Sequence, residues 1–199
     1  MAHSNAQQHN ELFPVFLKLS QLRLLIIGGG YVGLEKLQAV ISNSPSAIIT
    51  LVATEISTEI KELSKKFDHI KLIERAYEVS DFDNIDIAII AINDAVISSQ
   101  IAVDAKKKGI LTNVADKPSL CDFYLGSVVQ KGNLKIAIST NGKSPTIAKR
   151  IKEVLNDTLP DEIDTLLENM QKIRNKMSGN FTEKVKQLNE LTKSLSQNK

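Results

Sequence analysis

The spacing Gly28-x-Gly30-x-x-Gly33 stands between the aliphatic run Leu24-Leu25-Ile26-Ile27 and a helical pattern that begins at once. In that position Gly28 permits a tight turn, Gly30 lets the backbone approach a pyrophosphate, and Gly33 lets the helix pack on the strand. The unpaired amides and positive dipole end of the helix would then face phosphates. A glycine turn needed only for packing would read the same way. A second candidate is Asp116, in Asn113-Val114-Ala115-Asp116-Lys117-Pro118. It follows an expected strand, and if that strand is parallel its carboxylate lies on the sheet edge of the glycine turn, where it could face a nicotinamide. The plainer reading, favoured by sequence alone, is a turn acid that satisfies backbone N–H groups.

Asn93-Asp94 follows another apolar run and could line a cofactor, although capping the next helix would by itself explain Asp94. The third candidate place is Ser139-Thr140-Asn141-Gly142-Lys143-Ser144-Pro145, small hydroxyls and a glycine before a helix with Ser144 as N-cap and Pro145 first inside it. Lys117, Lys143, Lys149 and Arg150 could gather around an anionic ligand there, or be ordinary solvated cations. Cys121 reads as a buried or incidental thiol.

The rest of the chain must position these groups. Its 199 residues, 42% hydrophobic and 24% charged with a net charge of +2, are those of a soluble globular protein. Nothing global points to nucleic acid or a membrane surface, no apolar run is long enough to span a bilayer, and a cytoplasmic location is expected. Cys121 is the single cysteine, and His3, His9 and His69 are scattered, so neither an intramolecular disulfide nor a metal cluster is expected.

Residues 1–11 read as a disordered leader, and Phe13-Pro14-Val15-Phe16-Leu17 as an apolar segment lying along the first domain. The pattern then predicts a strand at 24–27, a helix over 32–42, strands at 48–53 and 70–73 around a helix over 56–67, and a strand at 86–92. A helix to Lys108 carrying Ile97, Ile101, Val103 and Ala105 follows, then a strand at 111–114. Such alternation specifies a doubly wound parallel sheet. After residue 114 the pattern becomes a hairpin, 127–130 with 134–138, too small to bury its apolar face and expected to join another sheet or subunit. Next come a helix with a buried stripe of Ile147, Ile151, Val154 and Leu155, one from Ile163 to Met177 ended by Gly179, and one carrying Phe181, Val185, Leu188, Leu191 and Leu195.

The runs Phe13 to Leu17, Gly28 to Lys36, Asn113 to Asp116 and Ile138 to Pro145 together resemble the precorrin-2 dehydrogenase family. This is the amino-terminal part of multifunctional sirohaem synthases and the stand-alone precorrin-2 dehydrogenase/ferrochelatases, and the resemblance extends over roughly residues 12 to 199. It implies an α/β protein: an NAD-binding Rossmann domain (12–114), a dimerisation and active-site segment (115–145) and a helical domain (146–199) forming a homodimer. It implies NAD-dependent oxidation of precorrin-2 to sirohydrochlorin and, in many members, insertion of ferrous iron to give sirohaem. By motif, Tyr31 and Val32 would contact NAD beside Gly28, Gly30 and Gly33, with Thr54 and Glu55 at the adenosine ribose. Asp116 matches the family's proton acceptor, and Thr140 falls where several members place serine in the tetrapyrrole pocket. Many members have alanine at the position of Gly33, a change that size alone makes harmless. No methyltransferase domain is expected after the helices, so another protein would make precorrin-2.

That substrate is a polycarboxylate, which the basic helix beginning at Ser144-Pro145 would complement. Two other readings of the residues stand beside this one. One is a non-catalytic NAD-sensing module whose helical tail docks a partner. The other is a dehydrogenase of a smaller acid, against which the lack of a histidine near any strand end argues.

Overall fold

A computed structural model describes residues 9–193. The expected leader therefore falls largely on residues outside the described ones, as does Leu195. Strands β1 (Arg23–Ile27), β2 (Ile48–Ala53), β3 (Ile70–Glu74), β4 (Ile87–Ile90) and β5 (Leu111–Val114) form one five-stranded sheet of order β3-β2-β1-β4-β5, parallel throughout. Helices α1 (Tyr31–Asn43), α2 (Thr58–Ser64) and α3 (Ala95–Lys107) alternate with the strands. Because β1 pairs with β2 on one side and β4 on the other, the order reverses at the carboxyl end of β1. Open sheets of this kind bind ligands at that reversal.

β1 is apolar without interruption because both of its faces are covered. Leu24 and Ile26 pack with Leu37 and Val40 of α1 and with Ile49 and Leu51 of β2, whereas Leu25 and Ile27 join Phe82, Ile101 and Ala105. Each such burial is worth about 1.5–3 kcal/mol relative to exposure. α2 is shorter than the period suggests. Ser57 accepts from the Ile60 amide as N-cap, and the Ile56 amide instead donates to Glu74 from β3.

α3 is also turned from its expected face. Ile97 and Val103 are exposed, while Ser98, Ile101, Ala102 and Ala105 are buried, so small side chains bring the helix close to the sheet. A left-handed Gly109 ends this helix after Lys106 and Lys107. The segment from Phe13 to Leu17 departs from expectation too: Phe13 is 86% and Phe16 68% exposed, and of its surroundings only Leu19 packs on the core.

The chain divides into two compact units, one reaching Leu125 and including Asn141–Lys143, the other comprising Gly126–Thr140 and the chain from Ser144 onward. The first unit continues past residue 114 because the following segment folds back on β5. The Asp122 amide donates to Thr112 O (2.8 Å), the Thr112 amide donates to Asp122 Oδ2 (2.9 Å), and Asn113 Nδ2 donates to Phe123 O (2.9 Å).

In the second unit β6 (Ser127–Lys131) and β7 (Leu134–Ile138) form a two-stranded antiparallel sheet, and among the described residues no further strand joins it. α4 (Pro145–Thr158) lies against β6, and α5 (Ile163–Lys176) and α6 (Phe181–Thr192) follow. Val129 and Ala148 are buried, but the expected buried stripe of α4 is not: Ile147 is 53% and Val154 62% exposed. A two-stranded hairpin has too little surface to cover a helix of this length. Among the described residues no helix is long and apolar enough to cross a membrane.

Candidate functional site

The glycine turn is fixed by backbone hydrogen bonds at the carboxyl end of the sheet. The Gly28 amide donates to Val52 O (2.9 Å), and the Ala91 amide donates to Ile27 O (2.7 Å). Gly28 has φ +126°, and a Cβ there would run into the Ala91 carbonyl. Gly29, which the spacing rule passes over, is as constrained: a Cβ would meet the Glu55 carbonyl, and Gly29 O accepts from the Ser57 amide (2.9 Å). A Cβ on Gly33 would strike the Gly28 carbonyl, so alanine at this position is not harmless in this chain.

Gly30 is the opposite case, with nothing within 4 Å of a Cβ built on it. It is the N-cap of α1 and offers no side-chain cap, and the first turn holds no acid. Free amides and open space in front of them fit a pyrophosphate. Tyr31 is 81% exposed beside this opening. Thr54 and Glu55 are exposed just beyond β2, and the Glu55 carbonyl faces Gly29.

A cavity of about 190 Å³ lies where the ends of β4 and β5 meet the start of α1, lined by Val32, residues 91–95 and residues 115–117. It brings together Val32, Asn93, Asp94 and Asp116 from the sequence-derived candidates. Asp94 is engaged structurally, its Oδ1 accepting from the amides of Val96 (2.8 Å) and Ile97 (2.9 Å) as the N-cap of α3. The capping reading therefore holds, and Asp94 also lines the cavity where the cofactor reading would place it.

Asp116 differs. It is exposed, with φ +57°, and among the described residues its side chain has no hydrogen-bond or ion-pair partner. The turn-acid reading is thereby overturned. The backbone around it is anchored by the Ala115 amide on Ile90 O (2.9 Å) and the Lys117 amide on Val114 O (3.2 Å). A carboxylate that satisfies nothing in its own protein is free to accept a proton from a ligand.

Cys121 is a fastening rather than a reagent. Its Sγ accepts from the Val114 amide (3.2 Å), and burial pushes the thiol's pKa up. Lys117 also lines the cavity, its Nζ donating to Asp94 O (3.3 Å) and Ala95 O (3.0 Å). That places its ammonium on backbone carbonyls.

The remaining candidates divide between the units. Lys143 groups with the first, whereas Thr140, Ser144, Lys149 and Arg150 belong to the second. Thr140 Oγ1 accepts from the Ser144 amide (3.2 Å), and Ser144 Oγ accepts from the Ile147 amide (3.2 Å), as the cap reading requires. Arg150 pairs with Glu153 at 2.6 Å, while Lys143 and Lys149 are exposed. Among the described residues no group of three or more His, Cys, Asp or Glu side chains could hold a metal ion.

Residues 15–127 match a family model described as NAD(P)-binding, and residues 131–157 match one for the central segment of sirohaem biosynthesis proteins. The siroheme synthase of Psychrobacter arcticus is 34% identical over 174 residues, covering 87% of this chain and 30% of the relative. That of Methylococcus capsulatus is 31% identical over 156 residues, or 78% and 32% of the two chains. The chain thus spans about a third of the length of these relatives. Among solved structures, SirC, precorrin-2 dehydrogenase, superposes with a TM-score of 0.72 over 90% of this chain and 89% of the other at 24% identity, a likeness of fold.

Proposed function

We propose that this chain, which belongs to the NAD(P)-binding family whose model matches residues 15–127 and carries the sirohaem-biosynthesis match at residues 131–157, oxidises precorrin-2 to sirohydrochlorin with NAD. The observation that carries the reading is the partnerless Asp116 carboxylate on a cavity beside the start of α1.

Gly28, Gly30 and Gly33 admit the dinucleotide backbone, with Tyr31 and Val32 beside it and Asn93 and Asp94 on the cavity wall. Glu55, exposed past β2, would accept from the adenosine ribose hydroxyls and repel a 2′-phosphate, favouring NAD over NADP. Thr54 lies next to it. NAD, when bound, takes up the hydride released by the macrocycle. Asp116 accepts the proton lost with it, so that the substrate gives up one hydride and one proton and gains a conjugated double bond. Thr140, Lys143, Ser144, Lys149 and Arg150 would receive the substrate carboxylates.

Ferrous iron would be a second substrate, with Asp116 accepting pyrrole protons on insertion. A homodimer is supported by the exposed apolar face of α4, and a cytoplasmic location accompanies the soluble substrates. Anaerobic incubation with enzymatically made precorrin-2 and NAD, followed by NADH and sirohydrochlorin absorption before and after adding ferrous iron, tests all of this. NAD-dependent sirohydrochlorin is the expected result, and faster consumption with iron would establish the chelatase. NAD binding without turnover would favour the sensing module.

A further inference from the structure

Lys117 places its cation at the wrong end of a helix. Its Nζ donates to the Asp94 and Ala95 carbonyls in the first turn of α3, where the helix dipole disfavours positive charge. The helix does not need this contact, because Asp94 already caps it with two amide bonds. The Asp94 carbonyl does not need it either, since it accepts from the Ser98 amide (3.0 Å) and from Ser98 Oγ (2.5 Å). A local rule broken without local gain marks a functional constraint.

What the contact does is join two loops. Lys117 follows Asp116 in the turn after β5, and its carbonyl partners lie in the segment after β4, so its half-buried side chain ties together two walls of the cavity. A non-glycine residue in the left-handed region persists when its surroundings over-determine it. Asp116 has no side-chain bond to help, so its turn is held by the Ala115 and Lys117 amides, by the Leu120 amide (3.0 Å) and Cys121 Sγ (3.3 Å) on Lys117 O, and by this tether, the one among them that reaches the start of α3.

We propose that Lys117 is the positioning residue for Asp116, its ammonium fixing the acid's turn against the start of α3. The proposal rests on Asp116 as the proton acceptor of the reading above. Misplacing a reacting group by an ångström costs up to about 100-fold in rate. Lys117→Met is therefore expected to lower kcat for NAD-dependent precorrin-2 oxidation about 10- to 100-fold, with the KM for each substrate changed less than about 3-fold. Lys117→Arg, whose fork also reaches two carbonyls, should recover most of the loss.

Amide hydrogen exchange on the ligand-free protein gives a readout independent of turnover. In Lys117→Met the amides of Lys117 and Leu120 should exchange faster than in wild type, while those of the β1 core stay protected. Unchanged exchange, an unchanged kcat, or a loss appearing only as a higher KM for precorrin-2 would each overturn the proposal, the last by making Lys117 a substrate contact. If wild-type protein fails to oxidise precorrin-2, the functional reading falls, and exchange still decides whether the tether exists.

Discussion

Where the strands of the sheet begin, Asp86 accepts from the Arg23 amide (2.7 Å), from Nε (3.0 Å) and from Nη2 (3.1 Å), and its own amide donates to Arg23 O (3.0 Å). Where they end, three glycines stand against carbonyls that leave no room for a Cβ, Gly30 faces open space, and Asp116 has no partner. The same sheet thus closes one edge and leaves donors and an acceptor unspent at the other. The difference marks the carboxyl end of the strands as the candidate site, the same end that the strand-order reversal at β1 marks independently.

The sharpest way to break this contrast is at Asp116. Asp116→Asn should lower kcat for precorrin-2 oxidation by about 10²- to 10⁴-fold, the usual loss of a general base. Urea unfolding should move by less than about 0.5 kcal/mol, because no partner is lost, and NAD affinity by titration should hold. A variant that unfolds easily would return Asp116 to a structural role.

Gly33→Ala comes next. Forcing a methyl against the Gly28 carbonyl should cost about 1–3 kcal/mol of stability by urea unfolding and weaken NAD binding. Unchanged values would mean the turn can yield. Asp94→Ala should cost about 1 kcal/mol, the worth of a helix cap. Its urea midpoint should fall and its NAD affinity weaken, with kcat at saturating NAD reduced far less than in Asp116→Asn.

The first unit was legible because its signals are local. Leu24 to Ile27 is an apolar run, the glycines sit at fixed spacing, and the expected β2 and β5 match the observed ones residue for residue. Positions set by tertiary distance were not. The Lys117 tether depends on how the turn after β5 meets the start of α3, over twenty residues earlier in sequence. Nor could the sequence tell that Asp94 is engaged and Asp116 free, since both follow apolar strands and either could cap or turn. In α4 the helical period was right and its burial was not, because periodicity identifies an apolar face without identifying what covers it.

The smallest effect belongs to the closed edge and carries the sign of its chemistry. Hydrogen bonds from the Arg23 side chain and amide hold the Asp86 carboxyl below its ordinary range, at about 2. Its contribution to stability is therefore complete above the unfolded value of about 4 and is lost as pH falls through about 2. A double-mutant cycle of Asp86→Asn with Arg23→Met, read by urea unfolding, should show a modest coupling at pH 6 that fades by pH 2. The groups are solvent-accessible, so added salt should weaken the coupling as well. Equal coupling at both pH values would mean that neutral hydrogen bonds, rather than the ion pair, hold β1 to β4 at this edge. The contrast between the edges would then be one of geometry and not of charge.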